Sequence, residues 1–294
     1  MRKPVYSVMG TEKDSVRADS CQARQQKQHG MDIKKVALVT GASSWIGANI
    51  AVDLAATNDY IVIIVGRNID RLSQVELKCQ QAALNADPNS IDTCAYKYKC
   101  NLDDFAQLDD LIEFIRTKFN RLDLLVNNAC YRGVIRSISD RDSYDDLEQA
   151  MLLNVHVPMY LFNKCLLPLN SILTREPVLI NISSIASQVA VPLSCYSISK
   201  ACLSELTRQI AFNNECAIKA ITISPGPILT DERPHHKAMA ENTLLGRVGT
   251  TQEVSNLVLF AVQNANLFNG KELFVDGGYL AKQKQPLVTG QPLK

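Results

Sequence analysis

The chain holds 294 residues, 46% of them apolar and 21% charged, with 31 Lys and Arg against 30 Asp and Glu. That composition is too apolar for a disordered chain, and the length allows a large buried core. A net charge of +1 gives no electrostatic ground for binding nucleic acid or an anionic membrane, and apolar runs such as Ile61–Val65 are far too short to insert into a bilayer.

The first 31 residues are rich in Gln, Lys, Arg and Ser and lack periodicity, so they read as a disordered extension. They carry no apolar signal core, which makes the cytoplasm the expected compartment. Arg2, Lys3, Arg17 and Arg24 hint at a mitochondrial transit peptide, and Glu12, Asp14 and Asp19 speak against it. Nine cysteines lie between Cys21 and Cys216 with no CxxC, and the four histidines form no HExxH. Neither a disulfide scaffold nor a metal site is expected, and a reducing compartment fits better.

From residue 32 to 282, β-branched runs alternate with amphipathic stretches. Strands are predicted at Val36–Thr40, Tyr60–Val65, Thr93–Tyr98, Leu122–Asn127, Pro177–Ser183, Lys219–Ser224 and Glu272–Val275. Helices are predicted at Asp103–Phe119, Tyr144–Leu169, Tyr196–Asn214 and Thr251–Gln263. The alternation implies an α/β fold: one Rossmann domain over 32–282, with a doubly wound, seven-stranded parallel sheet and helices on both faces. Residues 283–294 read as a polar tail.

The first strand runs into Thr40-Gly-Ala-Ser-Ser-Trp-Ile-Gly47 and then a helix. Such a turn suits a dinucleotide: Gly41 allows the tight bend, Gly47 close packing, and the helix N-terminus offers N–H groups to a pyrophosphate. The second strand ends in Val65-Gly66-Arg67, with no carboxylate at 66 or 67 to hold a ribose 2′-hydroxyl. Arg67 could pair with a 2′-phosphate, favouring NADP(H) over NAD(H). A solvated arginine opening the next helix is the alternative.

Tyr196 and Lys200 stand four residues apart on one helix face. An ammonium one turn away would stabilise a phenolate and let tyrosine exchange protons near neutral pH. In chain order come TGASSWIG, Asn127-Asn-Ala-Cys130, Asn154, Asn181-Ile-Ser-Ser184, Tyr196-x-x-x-Lys200, Ser224-Pro-Gly226 and Val275-Asp-Gly-Gly278. Over residues 32–282 this series resembles the short-chain dehydrogenase/reductase family.

The resemblance implies hydride transfer between NADP(H) and a small-molecule carbonyl or alcohol. Tyr196 would be the acid/base, and Lys200 would lower its pKa and bind the nicotinamide ribose. Ser184 would hold the substrate oxygen and Asn154 would support a proton relay. Asn127 and its neighbour Ala129 would stand near the adenosine ribose, and Asn101 near the adenine. Pro225 and Gly226 would flank the nicotinamide, with Ile228 and Thr230 at its carboxamide. Ser43, Ser44 and Ile46 belong to the phosphate turn; the serines either reach the ribose or its phosphate, or cap the helix. A homodimer or homotetramer through helices 144–169 and 196–214 is also implied.

Three positions depart from the family pattern. Trp45 replaces a glycine, and its indole could obstruct the cofactor, point outward or pack over the ribose. Cys130 replaces the NNAG glycine, with simple packing favoured over a redox role. Ser184 lies one residue closer to Tyr196 than usual, a spacing that Ser183 keeps; the direct match of NISS favours Ser184. Pro234-His235-His236-Lys237, in a short substrate lid, reads as solvated rather than metal-binding. Rival readings are a catalytically weak nucleotide-binding regulator or scaffold, and an NAD(H)-dependent dehydrogenase.

Overall fold

Seven apolar runs pair side by side into one all-parallel sheet in the order β3-β2-β1-β4-β5-β6-β7. The computed structural model describes residues 34–90, 93–135, 138–141, 143–170, 176–213, 218–230 and 236–283. The readings of residues 1–31 and of the tail beyond Gln283 lie outside them. So do those of Pro234 and His235 and of the side chains of His236 and Lys237.

The first half of the chain steps outward from the sheet centre. β1 (Lys35–Thr40), α1 (Trp45–Ala56), β2 (Tyr60–Gly66), α2 (Ile69–Ala86) and β3 (Ala95–Lys99) build one flank. α3 (Phe105–Lys118) then carries the chain back to β4 (Leu124–Asn127), which pairs with the other edge of β1. A long helical passage follows: α4 (Ser143–Met151), a π-helical turn (Leu152–His156), α5 (Val157–Leu161), a second π-helical turn (Phe162–Leu166) and α6 (Leu167–Asn170). β5 (Val178–Ile182), α7 (Ser194–Phe212) and β6 (Lys219–Pro225) extend the second flank. It ends with α8 (His236–Ala240), α9 (Thr251–Gln263), α10 (Ala265–Phe268), β7 (Glu272–Val275) and α11 (Tyr279–Gln283).

The two-residue period of a strand sends neighbouring side chains to opposite faces. In β1, Ala37 and Val39 join Ile50 and Leu54 of α1 and Val254 and Val258 of α9 in one apolar layer. Val36 and Leu38 join Leu108 and Leu111 of α3 and Leu161 of α5 in the other. Covered on both sides, the central strands read as unbroken Val/Ile/Leu runs. No helix among the described residues is long and apolar enough to cross a membrane.

Candidate active site

The direction of strand order reverses between β1 and β4, and the loops beyond their carboxyl ends part to form a cleft of about 710 Å³. Open α/β sheets take their ligands at such a reversal. Gly41, Ser43, Ser44, Trp45 and Ile46 line it at the glycine turn. Gly41 adopts φ +63°, and a Cβ there would stand 2.8 Å from Ala129 Cα. Gly47 is buried beneath the turn, where a Cβ would meet the Gly41 carbonyl oxygen at 2.5 Å. Asn128 fastens the turn to β4: its Nδ2 donates to the carbonyl oxygens of Thr40 and Gly41, at 2.9 and 3.2 Å.

Trp45 takes φ +50°, the left-handed backbone a glycine enters freely, so the turn keeps its course at a strain of roughly 1 kcal/mol or more. Its side chain is on the cleft wall and 36% exposed. Ser44 sits at the N-cap of α1, yet its hydroxyl caps nothing and the first turn holds no acid. The leading N–H groups of α1 therefore face the cleft without a side-chain acceptor, the usual setting for an anion.

At the end of the cleft beyond β2 and β3, Arg67, Arg71 and Asn101 line the wall, with Asp103 the one carboxylate beside them among the described residues. The Ser43 hydroxyl reaches this corner, since a Cβ on Gly66 would lie 3.1 Å from its Oγ. The Asn68 side chain accepts from the Arg71 N–H at 2.9 Å and starts α2, which places Arg71 one turn from Arg67.

The opposite end gathers Ser184, Tyr196, Lys200, Pro225, Gly226, Ile228 and Thr230 on the wall, with Ala129 at its edge. Lys200 is 1% exposed; its Nζ donates to the Ile182 carbonyl at 2.7 Å and stands 5.6 Å from the Tyr196 ring centre. Burial pushes its ammonium below the usual lysine range, opposed by the Cys130 thiol. Ser184 Oγ accepts from the Ala186 N–H at 3.2 Å, so its proton is free to be donated. Ser183 faces the other way: its Oγ donates to the Lys200 carbonyl at 3.0 Å and accepts from Ser204. Of the two serines, it is Ser183 whose hydroxyl is engaged by protein groups as both donor and acceptor.

A family model described as enoyl-(acyl carrier protein) reductase matches residues 41–280. The 7α-hydroxysteroid dehydrogenase of Escherichia coli strain K12 is 29% identical over 83% of this chain and 93% of that protein. A short-chain type dehydrogenase/reductase from Mycobacterium marinum, 22% identical, superposes with a TM-score of 0.72 over 83% of this chain and 94% of its own.

The chain belongs to the short-chain dehydrogenase/reductase family.

It shares its fold as well with a 7α-hydroxysteroid dehydrogenase solved with NADH and 7-oxo glycochenodeoxycholic acid: 28% identity, a TM-score of 0.73, and coverage of 83% of this chain and 93% of that one. Short-chain dehydrogenase/reductases are oxidoreductases that bind a nicotinamide cofactor. The residues present fit that group: the glycine turn leaves no room for side chains beneath it, and Thr230 Oγ1, only 7% exposed, has no hydrogen-bond partner among the described residues. Gly226 is wedged so closely that a Cβ would lie 2.7 Å from Asp276 Cα.

Asn127 and Asn154 do not reach the cleft. Asn127 is buried in the sheet and donates to Asn181 at 2.8 Å, so its part is to hold β4 against β5. Asn154 is 0% exposed, within the first π-helical turn; its Oδ1 accepts from the Tyr131 N–H at 2.7 Å, and its Nδ2 donates to the Tyr131 carbonyl and to Ser199. With its amide group so engaged, Asn154 fixes the loop after β4 against the helix bearing Tyr196. Sequence reasoning missed three participants: Arg71, Asn128 and Glu272. Glu272 accepts from Ser224 at 2.6 Å, Ser187 at 2.8 Å and Gln188 at 3.1 Å, tying β6 and the turn after Ser184 to β7. Among the described residues no cluster of His, Cys, Asp and Glu could hold a metal ion.

Proposed function

We propose that this protein transfers hydride between NADP(H) and a small-molecule carbonyl/alcohol pair, with Tyr196 as the acid/base. The observation that carries this reading is that Ser184, Tyr196 and Lys200 open into the same cleft as the glycine turn. The cofactor, when bound, supplies the hydride to the carbonyl carbon or takes it back from the alcohol. Ser184 donates a hydrogen bond from its hydroxyl to the substrate oxygen and orients it, keeping its proton. Tyr196 delivers its proton to that oxygen as negative charge develops, and the neighbouring Lys200 ammonium stabilises the phenolate left behind. Asn154 keeps this wall in place from beneath.

NADP(H) is favoured over NAD(H) because Arg67 and Arg71 line one wall with Ser43, where among the described residues two guanidiniums stand with a single carboxylate, Asp103. The single tryptophan, Trp45, stands on the cleft wall, so its fluorescence reports cofactor titrations directly. NADPH is expected to bind more tightly than NADH. Arg67→Ala should weaken NADPH by about 10-fold or more, the worth of a charge-assisted pair, and leave NADH unchanged. An equal effect on both cofactors contradicts the 2′-phosphate assignment. Failure of both cofactors to bind removes the oxidoreductase reading and leaves the scaffold.

Residues 32–282 would form the catalytic domain, with 1–31 and 283–294 outside it. Tyr144, Met159 and Ile198 are exposed apolar side chains on the α4–α5 passage and on α7, which supports a homodimer or homotetramer through those helices. A monomeric mass in solution contradicts the assembly.

A further inference from the structure

We propose that the substrate is anionic: a carbonyl compound with an apolar body and a carboxylate-like group that pairs with Arg132 in the outer part of the cleft. This rests on the carbonyl reading above and adds a substrate class to it.

Arg132 directly follows Tyr131, whose N–H and carbonyl both hold the Asn154 side chain, at 2.7 and 2.8 Å. Asn154 in turn donates to Ser199 at 2.9 Å, in the same helix as Tyr196 and Lys200. The backbone at Arg132 is thereby tethered beside the catalytic helix. The Tyr131 ring is held as well, its hydroxyl donating to Asp146 at 2.8 Å. That places Asp146 with the Tyr131 phenol, off the cleft wall, while the Arg132 side chain lines the cleft.

Arg132 is exposed, and no hydrogen bond or ion pair engages its guanidinium among the described residues. Leu153, Ile185, Val191, Leu193 and Met239 are among the apolar residues that line the same cleft. The one carboxylate lining the cleft among the described residues, Asp103, lies past β3, beyond β1 and β2 from this end. An exposed guanidinium on the cleft wall, with no acid paired to it among the described residues, matches a ligand that brings its own carboxylate. The planar fork meets such a group with two parallel hydrogen bonds.

The test uses the full chain with NADPH and matched probes: para-formylbenzoate against its methyl ester, and levulinate against methyl levulinate. The acids should be reduced with kcat/KM about 10-fold or more above the esters, the worth of one charge-assisted pair. Arg132→Ala should erase that advantage, leaving ester turnover and the NADPH dissociation constant unchanged, and Arg132→Lys should restore part of it. Equal turnover of acid and ester in the wild type overturns the proposal while leaving the carbonyl reading intact. An equal loss on both probes in Arg132→Ala also overturns it. Weakened NADPH binding in that variant overturns it too, and makes Arg132 a cofactor contact. An enzyme that binds NADPH but reduces no probe fails the carbonyl reading, and this inference with it.

Discussion

Glu272 is a single carboxylate with four donors from three places: Ser224 on β6, Ser187 and Gln188 in the turn after Ser184, and Ser204 on α7 at 3.2 Å. Arg208 lies 3.9 Å away at the outer edge. Glu272 touches no reacting atom, but it fixes the turn that aims Ser184. Glu272→Gln keeps the shape and loses the charge, so kcat should fall about 10-fold through misplacement of Ser184, with NADPH affinity unchanged. Steady-state kinetics beside a cofactor titration checks this; an unchanged kcat with a lower melting temperature would reduce Glu272 to scaffolding. The sequence shows no trace of this hub, because its partners stand 48 to 85 residues away and β7 carries no local polar signal. That Ser184, Tyr196 and Lys200 line one cleft was legible, since the family resemblance joins NISS and Tyr-x-x-x-Lys in a single series of motifs. The course of Trp45 was not. Glycine announces a left-handed residue, and a tryptophan at φ +50° hides one.

At the scale of elements, α9 has the clearest local code. The Thr250 side chain accepts from the Glu253 N–H and the Glu253 carboxylate accepts from the Thr250 N–H, a reciprocal capping box. Thr250→Ala should cost about 1 kcal/mol, read by chemical denaturation. The Arg247 side chain, followed by the Thr250 backbone N–H, holds the Glu253 carboxyl down to about 2 from its ordinary 4.5. A carboxyl depressed on folding adds stability that is complete above the unfolded value and is lost as pH falls through the folded one. Glu253→Gln should therefore remove part of the acid sensitivity between about pH 4.5 and 2, and leave the rest of the profile unaltered. Identical acid denaturation of both proteins would contradict that role. Glu272–Val275 and Thr251–Gln263 were legible to the residue, because turn and cap signals bound them. β4 begins at Leu124 rather than Leu122, since the Asp123 side chain leaves the strand pattern to accept from the Val36 N–H and from Arg121. The π-helical turns were not legible. An apolar passage such as Leu152–His156 reads the same with one more residue per turn, yet the first of these turns carries Asn154 to Tyr131.

For the molecule as a whole, apolar strands alternating with amphipathic helices were enough to read a parallel doubly wound sheet, because a strand hidden on both faces has little freedom in composition. The sheet brings together residues more than 150 positions apart: Gly41 and Thr230 line one cleft because β1 and β6 both end there. That distant assembly also places Arg67 and Arg132 at different ends, one read against a phosphate and the other against a substrate anion. The proposed carbonyl chemistry rests on a proton passing through Tyr196. The most direct measurement compares wild type and Tyr196→Phe, with NADPH and the carbonyl probes, alongside a cofactor titration of each. Turnover should fall by about 10²- to 10⁴-fold, the range for loss of a positioned acid, while NADPH binds both proteins alike. Undiminished turnover by Tyr196→Phe would contradict the assignment outright.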